Sequence, residues 1–201
     1  TYFEKIQAVL RKHDVLFLVD EVICGFGRTG NMFGTQTYNL APDMITLAKA
    51  LSSAYVPISA LMVSEQIFQA MVIESEKIGI FGHGFTYGGH PVACAVALAS
   101  LELLESRGWA ADVARVSDGL AAGLAPLRDA AGVVDVRVLG AVGAVQLDHA
   151  VDVPRATQAA LDAGVWLRPF RDLVYVMPPY VTSPADVALI CEGVAEAVTV
   201  A

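Results

Sequence analysis

The sequence lacks the features of membrane-spanning, secreted and disulfide-stabilised proteins. Its densest apolar run, VACAVALASLELL, is interrupted by Glu102 and is too short to cross a bilayer. The N-terminus shows no basic segment followed by an apolar one, so we expect no secretory signal. The three cysteines, Cys24, Cys94 and Cys191, are widely spaced and form no C-x-x-C motif. This spacing predicts reduced thiols in a cytoplasmic protein rather than a disulfide or zinc framework.

Basic residues are also few. Thirteen lysines and arginines against 21 aspartates and glutamates give a formal net charge of −8. Because an acidic chain is repelled by phosphate backbones and anionic lipids, we expect neither nucleic acid nor a membrane as a partner. His83 and His90 lie apart from each other without a carboxylate between them, so we interpret both as structural and predict no metal site.

Apolar sequence, in contrast, is abundant. Hydrophobic residues fill 55% of the 201 positions, enough to bury the core of one large domain or two small ones. Their spacing predicts helices over residues 2–13, 65–73, 91–106, 113–127 and 154–164, and from Ser183 onward. Shorter apolar runs predict β-structure over residues 15–20, 43–50, 58–64, 133–147, 165–170 and 173–179. Helix 91–106 is apolar on nearly all sides, so we expect it to be interior.

The stretch VDEVICGFGRTG, residues 19–30, contains a literal G-x-G-x-x-G after a strand-like run. A dinucleotide-binding turn requires a helix that starts at the third glycine. The sequence after Gly30, NMFGTQTYNLAP, has no helical period and ends at a proline. We therefore disfavour a dinucleotide site and turn to the acidic residues that precede the glycines.

Asp20 ends the first predicted strand, where open α/β sheets bind ligands. The alternative is that Asp20 or Glu21 caps the following turn, and the sequence by itself leaves both open. Lys49 follows the next strand among apolar and small residues. A buried lysine has a lowered pKa and can attack a carbonyl. The alternative is a lysine at a strand end whose ammonium reaches solvent. An aspartate and a lysine that end strands of one sheet form the pair that pyridoxal phosphate requires.

The segments FLVDEVICGFGRTG and APDMITLAKALSSAY resemble the signature of class III aminotransferases, which belong to the fold-type I pyridoxal-phosphate enzymes. The resemblance covers essentially all of this chain, which corresponds to about the C-terminal half of the family. It implies an α/β fold. Residues 1–107 would be part of the cofactor-binding large domain, a mostly parallel sheet with helices, and residues 108–201 a smaller α+β domain. In the family, the N-terminal portion supplies further sheet strands and the loop that binds the cofactor phosphate.

The same resemblance implies roles for individual residues. Lys49 would form the Schiff base with pyridoxal phosphate, Asp20 would pair with the pyridine nitrogen, and Val22 would pack against the ring. The segment FGHGFTYGGHP is similar to one in which a threonine, here Thr86, binds the phosphate in the neighbouring subunit, which implies a homodimer with shared active sites. Without the resemblance, a plain turn is the simpler interpretation of this segment.

The substrate remains open between two branches of the family. The first part of the chain resembles ω-amino acid:pyruvate aminotransferases, and the second part resembles the biotin-pathway members that act on 8-amino-7-oxononanoate. In that second branch Arg168 aligns with the arginine that binds the substrate carboxylate, although an arginine facing solvent on an edge strand explains it equally well. We expect transamination between a small amino donor and an oxo acceptor. The alternative is a non-catalytic half of an aminotransferase, an interaction or folding remnant.

Overall fold

The computed structural model describes all 201 residues, which divide into two compact units. The first comprises residues 1–26 and 31–107, and the second comprises residues 27–30 and 108–201. None of the helices combines the length and the hydropathy needed to span a bilayer.

The first unit contains a three-stranded sheet and four helices. Its elements in chain order are α1 (Tyr2–Lys12), β1 (Leu18–Asp20), α2 (Gly34–Thr37), β2 (Met44–Leu47), a 3₁₀ turn (Lys49–Leu51), β3 (Ala60–Val63), α3 (Glu65–Ile78) and α4 (Pro91–Ser106). Strand β2 lies in the centre, parallel to β1 and antiparallel to β3. The parallel pair matters for function, because it brings the carboxyl ends of β1 and β2 to one edge of the sheet.

Most elements of this unit lie where the sequence predicted them, and the differences have local causes. The strand predicted over 15–20 is shorter, because the Phe17 amide does not join the sheet. It donates instead to the Asp43 carboxylate at 2.7 Å. The helix predicted over 65–73 continues to Ile78 and ends at Gly79, whose φ of +74° provides a left-handed cap.

The prediction that α4 is interior is wrong for this chain. Ala97 is its only buried residue, and Val92, Leu98 and Leu103 are each more than half exposed. The buried core of the first unit comprises Phe26, Leu47, Leu51 and Ala97. A helix that is apolar on all sides needs apolar neighbours on all sides, and the described chain supplies them on one side only.

The second unit is an antiparallel sheet covered by three helices. Its elements are α5 (Trp109–Leu124), a 3₁₀ turn (Ala125–Asp129), β4 (Val133–Leu139), β5 (Val142–Leu147), α6 (Val153–Asp162), β6 (Leu173–Val176) and α7 (Pro184–Val200). The strand order is β4-β5-β6. A continuous core of 19 buried residues fills the space between sheet and helices. Helices α5 and α7 approach closely because Gly119 lies against Val187 and Gly123 against Cys191, where a Cβ would stand 2.8 Å and 2.5 Å away.

The strand predicted over residues 165–170 does not form. Only Phe170 makes an isolated bridge, to Leu173. Two local features account for this: Val165 donates its amide to Ala160 and so closes α6, and Pro169 has no amide hydrogen with which to join a ladder. The predicted start of the last helix is confirmed, because the Ser183 hydroxyl accepts from the Asp186 amide.

Candidate functional site

Asp20 lies at the carboxyl edge of the first sheet. It pairs in register with Thr46 of β2. Its Oδ1 atom accepts two hydrogen bonds, from the Val22 amide at 3.0 Å and from the Thr46 hydroxyl at 3.1 Å. Both bonds fix the rotation of the carboxyl group, while the side chain as a whole is exposed and Oδ2 accepts none of the hydrogen bonds found here. The result is an oriented carboxylate with one oxygen directed to a ligand or to solvent.

Lys49 lies two residues after β2, at the same edge, and opens the 3₁₀ turn. Its φ of +45° lies in the left-handed region, which is strained for a non-glycine residue. The Leu51 amide donates to the Ala48 carbonyl at 3.0 Å and the Ser52 amide to the Lys49 carbonyl at 3.2 Å, and these bonds hold the turn. The ammonium group makes no ion pair or hydrogen bond. The side chain of Lys49 is exposed, in agreement with the alternative of a lysine at a strand end whose ammonium reaches solvent.

Asp20 accepts from the Val22 amide in the turn that follows it, whereas the adjacent Glu21 caps a helix further along the chain. Its side chain is fully buried at 0% exposure. Oε2 accepts from the Gly34 amide at 2.9 Å and Oε1 from the Thr35 amide at 2.6 Å, so the carboxylate caps the start of α2. Sequence reasoning missed these two hydrogen bonds, which join residues 13 and 14 positions apart in the chain. The available signal was Gly34, where a Cβ would stand only 3.2 Å from Oε2.

The glycine motif contains no phosphate cradle at a helix start, since α2 begins only at Gly34 and no helix follows Gly30 directly. Residues 27–30 pack instead within the second unit. Arg28 donates to the Pro178 carbonyl at 2.7 Å and to the Ala141 carbonyl at 3.0 Å. Its guanidinium lies 4.7 Å from the centre of the Tyr180 ring. Burial lowers the pKa of the Arg28 guanidinium and raises the pKa of the Tyr180 hydroxyl. The motif is thus a structural turn.

The remaining predicted site residues are accessible, and they lie on different parts of the chain. Val22 is half-buried in the turn after Asp20, and Thr86 is exposed in the loop between α3 and α4. That loop also exposes Phe81, Phe85 and Tyr87 by more than half of their surface. His90 caps α4 by accepting from the Ala93 amide at 3.3 Å, in agreement with a structural role.

Arg168 belongs to the second unit and lies on the irregular segment between α6 and β6. Its side chain is exposed and forms no ion pair. The expectation that Arg168 lies on a strand is therefore wrong, for the reasons given for residues 165–170. An exposed guanidinium on an irregular segment remains free to bind a carboxylate. A separate cavity of about 540 Å³ lies against α3, and none of the five predicted site residues lines it.

Comparison with known proteins gives consistent matches. A family model described as aminotransferase class-III matches residues 1–198. The adenosylmethionine-8-amino-7-oxononanoate aminotransferase of Mycobacterium leprae (strain TN) is 43% identical over 195 residues, which are 97% of this chain and 44% of that protein. Vanillin aminotransferase from Capsicum frutescens is 51% identical over 140 residues, which are 70% of this chain and 30% of that protein.

Solved structures extend the likeness to three dimensions. The omega transaminase from Pseudomonas jessenii in complex with PMP aligns with a TM-score of 0.93 at 38% identity, covering 99% of this chain and 46% of that chain. The chain therefore spans less than half the length of these curated and solved relatives.

Proposed function

The chain belongs to the class-III aminotransferase family, whose cofactor is pyridoxal phosphate, and on that premise we propose that it takes part in transamination. An amino group is moved from a small amino donor to an oxo acceptor. Residues 1–107 contribute to the cofactor-binding domain and residues 108–201 form the small domain. The observation that carries the proposal is the common edge of β1 and β2, where Asp20 ends β1 and Lys49 follows β2.

The side chains of Asp20 and Lys49 at this edge fit the cofactor. Pyridoxal phosphate presents a protonated ring nitrogen and a carbonyl, and when bound it supplies an aromatic ring that withdraws electrons from the substrate. Oδ2 of Asp20 is available to accept the ring N–H, because both internal hydrogen bonds go to Oδ1. Lys49 offers an amine without a competing ion pair. A carboxylate and a free amine are the two groups that this cofactor needs from the protein.

Each residue has one task in this proposal. Asp20 keeps the ring nitrogen protonated, and Val22 lies beside the ring. Lys49 would hold the cofactor covalently, and once substrate has displaced it, its Nζ would take a proton from the substrate carbon and deliver it to the cofactor carbon to which Nζ had been attached. Thr86 binds the cofactor phosphate of a neighbouring subunit in a homodimer. Arg168 pairs with the substrate carboxylate through its planar guanidinium.

For the substrate, we propose 8-amino-7-oxononanoate as acceptor. This choice is supported by the 43% identity, over 97% of the chain, to a relative named for that substrate. An ω-amino acid with pyruvate is the second candidate, supported by the likeness to omega transaminases at 38% identity. Supplying S-adenosylmethionine or β-alanine as amino donor separates the two. We also propose a cytoplasmic setting, as the three widely spaced cysteines of the sequence predict.

The decisive experiment traps the cofactor on the protein. The longest polypeptide that the gene encodes is incubated with pyridoxal phosphate, reduced with borohydride and mapped by peptide mass spectrometry. We expect the label on Lys49 and its loss in Lys49→Ala. Lys77→Ala is the matched control, because Lys77 is also exposed but pairs with Glu74 on α3. Label on Lys77 instead, or equal label in Lys49→Ala, contradicts the proposal and favours the non-catalytic alternative.

A further inference from the structure

We propose that Phe26 is a positioning residue for Lys49, an inference that rests on the proposed function. Lys49 is exposed, and nothing polar fixes its side chain. Its position is therefore set by the backbone of the 3₁₀ turn. That backbone is anchored on both sides by buried leucines, Leu47 and Leu51, each 7% exposed.

Phe26 completes the cluster that buries these two leucines. Its side chain is 4% exposed, and it shares a core with Leu47, Leu51 and Ala97. It is the only aromatic residue among these four and the largest of them, so its ring determines how much apolar surface the leucines bury. The ring also meets Phe33 edge to face, with 5.6 Å between the ring centres.

The backbone at Phe26 is locally strained, so the burial of its ring must offset an energetic cost. Phe26 has a φ of +61°, in the left-handed region, which bulky side chains rarely adopt. A glycine would take this conformation without strain. Packing of the Phe26 ring in one cluster with Leu47 and Leu51 offsets this strain, and through that ring the glycine-rich turn contributes to the position of Lys49.

Phe26→Leu tests the inference, with Phe3→Leu as the matched control. Phe3 lies on α1 in the same unit, is half-buried and also loses a ring contact, to Tyr38 at 4.8 Å. The first readout is hydrogen exchange of the Leu51 and Ser52 amides, which close the Lys49 turn. We expect Phe26→Leu to accelerate their exchange about tenfold or more, as loosened packing of a buried ring predicts, and Phe3→Leu to leave it unchanged.

The second readout is borohydride trapping of pyridoxal phosphate on Lys49, compared with non-specific trapping on Lys77. We expect the Lys49 share to fall roughly tenfold in Phe26→Leu, since a reactive amine displaced by a fraction of an ångström loses rate steeply. Phe26→Met, whose flexible side chain has about the same volume as leucine, should give a similar fall and replaces the leucine variant if that one does not fold.

The outcomes separate the two proposals. Unchanged exchange of the Leu51 and Ser52 amides in Phe26→Leu, or an equal acceleration in Phe3→Leu, overturns the positioning role. Accelerated exchange without any effect on Lys49 trapping also overturns it. If the unaltered protein fails to trap the cofactor on Lys49, the proposed function falls, and the exchange measurement still decides whether Phe26 supports the turn.

Discussion

Replacing the buried carboxylate of Glu21 should destabilise the start of α2. Glu21 is fully buried and accepts two backbone hydrogen bonds, from Gly34 and Thr35. Hydrogen bonds to a charged group contribute about 1.5–3 kcal/mol each. Glu21→Ala leaves both amides without an acceptor, so we expect a loss of roughly 3–5 kcal/mol in the free energy of unfolding.

Glu21→Gln separates the charge from the shape. The amide keeps one acceptor oxygen but turns an NH₂ group toward the other backbone N–H. It also removes the cost of burying a charge, which offsets part of the loss, so we expect about 2 kcal/mol. Urea unfolding gives the free energy, and hydrogen exchange at the Gly34 and Thr35 amides shows where protection is lost.

The matched control is Glu102→Gln, which removes the same charge from an exposed position on α4. We expect it to change stability by no more than about 0.5 kcal/mol. The reasoning is refuted if Glu21→Gln and Glu102→Gln unfold at the same urea concentration. It is refuted equally if the Gly34 and Thr35 amides keep their protection in Glu21→Ala.

Three further predictions concern the second unit. Gly27→Ala adds a Cβ 2.7 Å from the Trp109 ring at a φ of +103° and should cost more than about 3 kcal/mol. Gly108→Ala, at φ +67° with open space around it, should cost only about 1 kcal/mol, and equal losses in urea unfolding would contradict the clash. Arg28→Lys removes the planar guanidinium whose Nη1 donates to two carbonyls and which lies over the Tyr180 ring, and should cost about 1.5–3 kcal/mol. Arg155→Lys, at an exposed position on α6, should be neutral. The hydrogen bond that the His149 ring donates to the Asp148 carboxylate raises the pKa of this exposed imidazole. The protonated imidazole stabilises the fold fully below about pH 6.5, and this stabilisation is lost as pH rises through the raised pKa. His149→Asn should therefore lower the urea midpoint at about pH 5.5 and leave it unchanged at about pH 8.5. A loss of the same size at both pH values would show that titration of His149 is not the cause.

The elements that the sequence predicted well are those specified by neighbouring residues. The apolar stripe of α5 and the cap of α7 at Ser183 depend on residues within one or two helical turns. The expected parallel pairing of the strands that end near Asp20 and Lys49 is also present. Continuous apolar runs that end in polar residues are typical of such strands, and their spacing along the chain leaves room for a crossover.

The predictions that failed or were left open depended on what surrounds a residue. The apolar neighbours of Lys49 left open whether its side chain is buried, and the structure shows Leu47 and Leu51 buried and Lys49 exposed. Arg168 was expected on a strand from its flanking residues, but the end of α6 and Pro169 prevent the pairing. The sequence pattern gives the composition around a residue, but it does not give the direction in which the folded backbone orients the side chain.

By itself, the sequence determined the family, because the segments that contain Asp20 and Lys49 carry its signature. Only the tertiary structure decided which acid faces outward. Asp20 and Glu21 are adjacent and chemically almost alike, and one is exposed while the other is fully buried. The physical reason is that a buried carboxylate must find donors, and the donors for Glu21 are amides on α2, a helix that comes close only when the chain folds.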